Sequence, residues 1–132
     1  MTVGIVLVSH SPALAQGLAD LVAQIGSGEV PLAVAGGAGD GRLGTSVDLV
    51  QEAIRAADRG QGVVIIPDLG SAVLTVRTVL GDGDGYGDHR GVVMVDAPFV
   101  EGAVAAAVTA ASGATVDEVA EAARQARDVP KF

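Results

Sequence analysis

Four short apolar runs, at residues 2–9, 31–35, 62–67 and 91–95, alternate along the chain with longer stretches in which apolar side chains recur at helical spacing. The runs are rich in Val and Ile and almost uninterrupted, which is the pattern of strands buried on both faces. Strand and helix in regular alternation predict an α/β fold. Its centre is an open doubly wound sheet of about four mainly parallel strands, with helices on both faces.

The helix signals sit between the runs. Ser11 can cap a helix whose first position is Pro12 and which runs to about Ile25, ahead of Gly26. Thr45 or Ser46 caps a second, with Val47, Val50, Ile54 and Ala57 on one face and Gln51, Glu52, Arg55 and Asp58 on the other. A third follows Gly70-Ser71 and presents Val73, Val76, Val79 and Leu80. A fourth begins near Pro98 and is rich in Ala, which permits close packing. The last fits residues 116–127, with Thr115 as cap and Glu118 three residues on. Residues 81–87 alternate Asp and Gly without apolar periodicity and read as a mobile surface loop. No internal repeat or linker divides the chain, so a single domain over residues 1–132 is expected.

Composition narrows the function. The 132 residues carry 16 Asp plus Glu against 8 Lys plus Arg, a net charge of -8, with two Phe, one Tyr and no Trp. An acidic surface repels phosphate backbones and anionic lipid, and stacking platforms are scarce, so neither nucleic acid nor membrane is an expected partner. The absence of cysteine removes thiolate chemistry and Cys-ligated metal and agrees with a reducing compartment. The apolar start is too short for a membrane span and lacks the pattern of a signal peptide, so a cytoplasmic protein is expected.

The polar residues that remain fall at one edge. His10 follows the first run, Gly36-Gly37 the second, Asp68 the third and Asp96 the fourth. In an open parallel sheet, ligands bind at the carboxyl ends of the strands, where strand order reverses. A carboxylate such as Asp68 that holds one imidazole nitrogen of His10 fixes the tautomer and frees the other nitrogen to attack. Backbone amides around Gly70 and Ser71 and at Gly36-Gly37 can cradle an anion. This set suits a phosphohistidine. The competing readings are a structural His10 and an Asp68 that merely caps the third helix.

Other leads carry less. His89 lies in a polar, Gly-rich stretch and is left out of the site. Gly39, Gly41 and Gly44 match G-x-G-x-x-G but follow the second run instead of the first. Asp82, Asp84, Tyr86 and Gly87 begin like an EF-hand loop, yet Val93 stands where the bidentate Glu is needed. Lys131 is the only lysine, no P-loop is present, and no metal site or cofactor is expected.

The motifs Val8-Ser9-His10-Ser11, Gly36-Gly37, Leu43-Gly44-Thr45, Pro67-Asp68-Leu69-Gly70-Ser71-Ala72 and Ala97-Pro98-Phe99-Val100-Glu101-Gly102 resemble, in order and over nearly the whole chain, a known family. It is that of the phosphotransfer (M) subunits of phosphoenolpyruvate-dependent dihydroxyacetone kinase, similar to mannose-family enzyme IIA of the sugar phosphotransferase system. The resemblance implies that His10 accepts a phosphoryl group from the histidine-containing phosphocarrier protein and passes it to ADP held by the L subunit of the kinase. It also implies that Asp68 hydrogen-bonds the active histidine, that Ser71 and the Gly36-Gly37 turn form the phosphoryl cradle together with Thr45, and that the protein is a homodimer. The Asp-Leu-Gly-Ser-Ala and Pro-Phe-Val-Glu-Gly segments favour this branch over the sugar-transport branch. The alternatives are the enzyme IIA of a mannose-family sugar transporter and a regulatory interaction module that has kept the fold. In either case the partners are expected to bring basic patches to an acidic or neutral rim.

Overall fold

The computed structural model describes residues 2–25, 29–81 and 91–132. The chain runs β1 (Gly4–Ser9), α1 (Pro12–Ile25), β2 (Leu32–Gly36), α2 (Val47–Ala57), β3 (Val63–Pro67), α3 (Gly70–Leu80), β4 (Val92–Met94), α4 (Phe99–Ala111) and α5 (Val116–Gln125), ending in a 3-10 turn (Ala126–Asp128). All strand pairs are parallel and the order is β2-β1-β3-β4. The expected doubly wound α/β sheet is therefore present. The surface loop read over residues 81–87, the EF-hand-like start and His89 lie, beyond Gly81, outside the described residues.

Side chains alternate across the two central strands. Ile5, Leu7, Val64 and Ile66 face α1, α4 and α5, where they meet Leu18, Val22, Ala103, Ala107 and Val119. Val6, Val8, Val63 and Ile65 face α2 and α3, where Val50, Ile54, Val76 and Val79 cover them. β1 and β3 are buried at every position, whereas β2 buries only Ala35 and β4 is half-buried throughout. The outer strands therefore depart from the two-sided burial that their apolar sequences predict. Each lacks a neighbour on one side, so its flank is covered only by what reaches past the sheet.

The caps follow local chemistry. Ser11 Oγ accepts from the Leu14 amide at 3.1 Å, and Ser46 Oγ accepts from the Leu49 amide at 3.2 Å, so Ser46 rather than Thr45 starts α2. Thr115 and Glu118 form a reciprocal capping box on α5. The N-cap of α3 is Leu69, which has no capping side chain. That exception lies at the site.

Candidate functional site

Strand order places the reversal between β1 and β3: the chain leaves β1 toward β2 on one side and returns to β3 on the other. The ends of these two strands carry His10 and Asp68. The Asp68 amide donates to the Val8 carbonyl at 3.0 Å, which extends the ladder one step past β3 and holds both residues at the same height.

The Asp68 carboxylate then accepts four hydrogen bonds. Oδ2 takes the Ser9 hydroxyl at 2.8 Å and the His10 amide at 3.0 Å, while Oδ1 takes the His10 ring Nδ1 at 2.8 Å and the Leu69 amide at 2.7 Å. The side chain is 7% exposed. Burial pushes the carboxyl up, but the hydrogen bonds from the His10 amide and ring, Ser9 and Leu69 outweigh it and hold Asp68 below the usual carboxylate range. An ionised carboxylate has no proton to give, so Nδ1 carries the hydrogen of this bond, and in the neutral ring the lone pair is on Nε2. Asp68 is thus engaged with the histidine and not with the interior amides of α3.

On the other side of the ring, Nε2 meets the Ser71 hydroxyl, which donates to it in the neutral Nδ1–H tautomer. Ser71 lies in the first turn of α3. The amides of Gly70 and Ser71 precede the first intrahelical bonds and stand where the positive end of the helix dipole emerges. The imidazole is 21% exposed, open enough to be reached and held on both nitrogens.

Gly36 and Gly37 occupy a different place. A Cβ on Gly36 would lie 2.7 Å from Pro12 Cα, and Gly37, at φ 79°, would meet Pro12 Cγ at 2.6 Å. These glycines let the start of α1 pack against the end of β2. The Gly37 amide donates to the Ser9 carbonyl at 3.0 Å, so it braces the strand that carries His10 and is not free to hold an anion. Thr45 pairs its hydroxyl with Thr75 at 2.5 Å, and Thr75 also donates to the Ser71 carbonyl at 3.3 Å, tying the start of α2 to the first turn of α3.

Sequence reasoning passed over Ser9. It is the one fully buried polar side chain among the described residues, and its hydroxyl both donates to Asp68 and accepts from the Ser11 amide at 3.1 Å. A serine closing an otherwise apolar strand was the available signal. Beside the histidine, between α3 and β4, lies an open cleft of ≈ 450 Å³ lined by Asp68, Leu69, Gly70, Arg77, Met94 and Asp96, among others. Among the described residues no three or more His, Cys, Asp or Glu cluster as metal ligands, and no helix is long and apolar enough to cross a membrane.

Fold and site define an open parallel α/β domain with a carboxylate-oriented histidine at its switch point. The family described as the PTS system fructose IIA component, of mannose type, matches residues 4–120, and the chain belongs to it. It is 37% identical over 106 residues to a Listeria innocua protein, "PEP-dependent dihydroxyacetone kinase 2, phosphoryl donor subunit DhaM", with 80% of this chain and 84% of the relative covered. A DhaM subunit of Providencia stuartii is 36% identical over 94% of this chain, which spans only 26% of that longer protein. Among solved structures, a protein of unknown function, EF1359, superposes with a TM-score of 0.79 at 31% identity, over 95% of each chain.

Proposed function

We propose that this chain is a phosphoryl carrier, a single phosphotransfer domain in which His10 is the acceptor and donor atom is Nε2. The observation that carries the reading is the double hold on the ring: Nδ1–H on the ionised Asp68 and Nε2 facing Ser71 at the N-terminus of α3. Nε2 attacks the phosphorus of a phosphohistidine on the donor protein. The Nε2–P bond forms as the donor N–P bond breaks, and the donor ring leaves with the electron pair. The Nδ1 proton stays in place, and Asp68 balances the positive charge that the ring acquires. Ser71 turns from Nε2 to a phosphoryl oxygen, joined by the amides of Gly70 and Ser71, and Thr45 supports this turn through Thr75. Gly36 and Gly37 contribute by seating His10.

The relatives named as phosphoryl donor subunits of PEP-dependent dihydroxyacetone kinase support a place in that kinase system, and the reading takes the histidine-containing phosphocarrier protein as donor, ADP on the L subunit of the kinase as acceptor and a cytoplasmic homodimer as the working form. This makes it a phosphotransferase subunit. The family description as a fructose IIA component favours a second reading, the enzyme IIA of a sugar transporter.

Intact-mass measurement after incubation with phosphoenolpyruvate, enzyme I and the phosphocarrier protein tests both. The expected result is one acid-labile phosphoryl adduct, absent in His10→Ala and discharged by the L subunit with ADP. Discharge only by a sugar-transport IIB protein would select the second reading. No adduct, with donors that charge a known acceptor, would leave a regulatory module.

A further inference from the structure

Ser9 has no place in β1 on packing grounds alone. By the alternation of the strand it follows Ile5 and Leu7 on the face covered by α1, α4 and α5, where an apolar side chain would continue the core. It is nevertheless fully buried, and a buried hydroxyl is costly unless its hydrogen-bonding capacity is met. Here it is met on both sides. The Ser11 amide can only donate, so it takes a lone pair of the hydroxyl at 3.1 Å, and the single hydroxyl hydrogen goes to Asp68 Oδ2 at 2.8 Å. The proton of Ser9 therefore has one direction, toward the carboxylate that orients the histidine.

That direction matters because Asp68 acts on the ring in two ways. It fixes the imidazole through Nδ1, and it stabilises the positive charge that the ring gains when Nε2 bonds to phosphorus. The second effect grows with the basicity of the carboxylate, which each further donor reduces. Burial pushes the Asp68 carboxyl up, while the bonds from His10, Ser9 and Leu69 bring it down. Of these donors, the His10 and Leu69 amides belong to the backbone and the ring is the group being held, so Ser9 is the one side chain left to set the balance. Other charges stand further off. At the rim, Arg42 pairs with Asp40 at 3.0 Å and Arg127 with Asp96 at 3.0 Å, and Arg77 lines the cleft from α3. Among the described residues, no hydrogen bond or ion pair joins any of these five side chains to His10 or Asp68.

We infer that Ser9 is a positioning residue whose hydroxyl, by drawing on the Asp68 carboxylate, keeps phosphorylated His10 from holding its phosphoryl group too firmly to release it. The inference rests on the carrier reading above. A carrier takes up and gives away the same group at the same atom. On release the Nε2–P bond breaks, its electron pair returns to Nε2 and the phosphorus bonds to the acceptor, while the Nδ1 proton stays in place. A more basic carboxylate favours the positively charged ring and biases the exchange toward retention. Loss of the Ser9 hydroxyl thus changes the balance between uptake and release, whereas a loss of orientation alone slows both.

The test measures forward and reverse rates of phosphoryl exchange with the histidine-containing phosphocarrier protein, by quenched-flow mass spectrometry, for wild type, Ser9→Ala and Ser9→Thr. Rates are taken per folded molecule, counted by circular dichroism, so that a partly unfolded variant still yields a ratio. Ser9→Ala is expected to raise the ratio of uptake to release by about threefold or more, and Ser9→Thr, which keeps the hydroxyl, to stay within about twofold of wild type, on the scale of one hydrogen bond to a charged group. An unchanged ratio in Ser9→Ala, with both rates lowered alike, would make Ser9 a structural residue only and overturn the inference. A ratio that falls overturns it too, as does one that rises equally in Ser9→Thr, because the cause is then volume and not the hydroxyl. If the wild type exchanges no phosphoryl group, the carrier reading falls and takes this inference with it; exchange with an unmoved ratio removes the inference alone.

Discussion

Asp68 holds the site because each of its four hydrogen bonds removes a different freedom. The Ser9 hydroxyl and the His10 amide fix the carboxylate to β1, Leu69 fixes it to the start of α3, and the ring Nδ1 is then the only mobile donor it can orient. Asp68→Asn keeps the shape but places an amide NH₂ among donors and removes the charge that balances a phosphorylated ring. The expected rate of adduct formation falls on the order of 10²-fold or more, read by quenched-flow mass spectrometry. Stability falls by roughly 1.5–3 kcal/mol, since these are hydrogen bonds to a charged, buried group. The loss depends on pH. Folded Asp68 titrates below the ordinary 3.8, so its stabilisation is fully present above that value and disappears as pH falls through the folded pKa. Glu101, beside Lys131, and Glu118, in its capping box, are also lowered, but both are common to wild type and variant. The gap in denaturation midpoint between the two proteins should therefore narrow below pH 3.8; a gap that stays constant would contradict this account. Ser71→Ala removes one hydroxyl that meets Nε2 and, in the carrier reading, the phosphoryl group. Its expected cost is about 10-fold or more in transfer rate, the worth of one hydrogen bond to a charged group.

At the scale of elements, the sequence made some features plain and hid others for physical reasons. β1 and β3 are legible because burial on both faces leaves little room for polar residues, and the caps Ser11 and Thr115 stand directly before helical apolar spacing, whereas Thr45 and Ser46 are adjacent hydroxyls that spacing alone does not separate. The pairing of His10 with Asp68 was readable from position alone, since both follow strands that a doubly wound order makes neighbours. The role of Gly36-Gly37 was not: a pair of glycines at a strand end looks alike whether its amides face an anion or its missing side chains admit a helix. Nor was the Thr45–Thr75 link, which depends on how α2 and α3 lie against each other. Two alanine substitutions separate these uses of glycine. Gly17 in α1 has nothing within 4 Å of a would-be Cβ, so Gly17→Ala should stabilise by up to about 1 kcal/mol and leave transfer unchanged. Gly36→Ala forces Pro12 away and should destabilise by roughly 1–3 kcal/mol while slowing transfer, because α1 and His10 leave β1 together. Equal effects on stability would refute the packing role of Gly36.

For the whole molecule, charge and contact act over different ranges. The net charge of -8 extends its field well beyond any side chain, whereas exchange at Nε2 begins only once surfaces touch. The field should speed the approach of a partner with basic patches and contribute little after docking, where the rim ion pairs already neutralise one another. Raising the salt from low concentration to about 1 M, where the Debye length is about 3 Å, should slow protein-to-protein transfer severalfold without slowing labelling by phosphoramidate, a small anionic donor with no docking surface. Quenched-flow transfer measured against ionic strength decides it. A rate flat across the range would exclude steering by the acidic surface, and a rate that falls for phosphoramidate as well would place the salt effect on the site instead of on the approach of the partner.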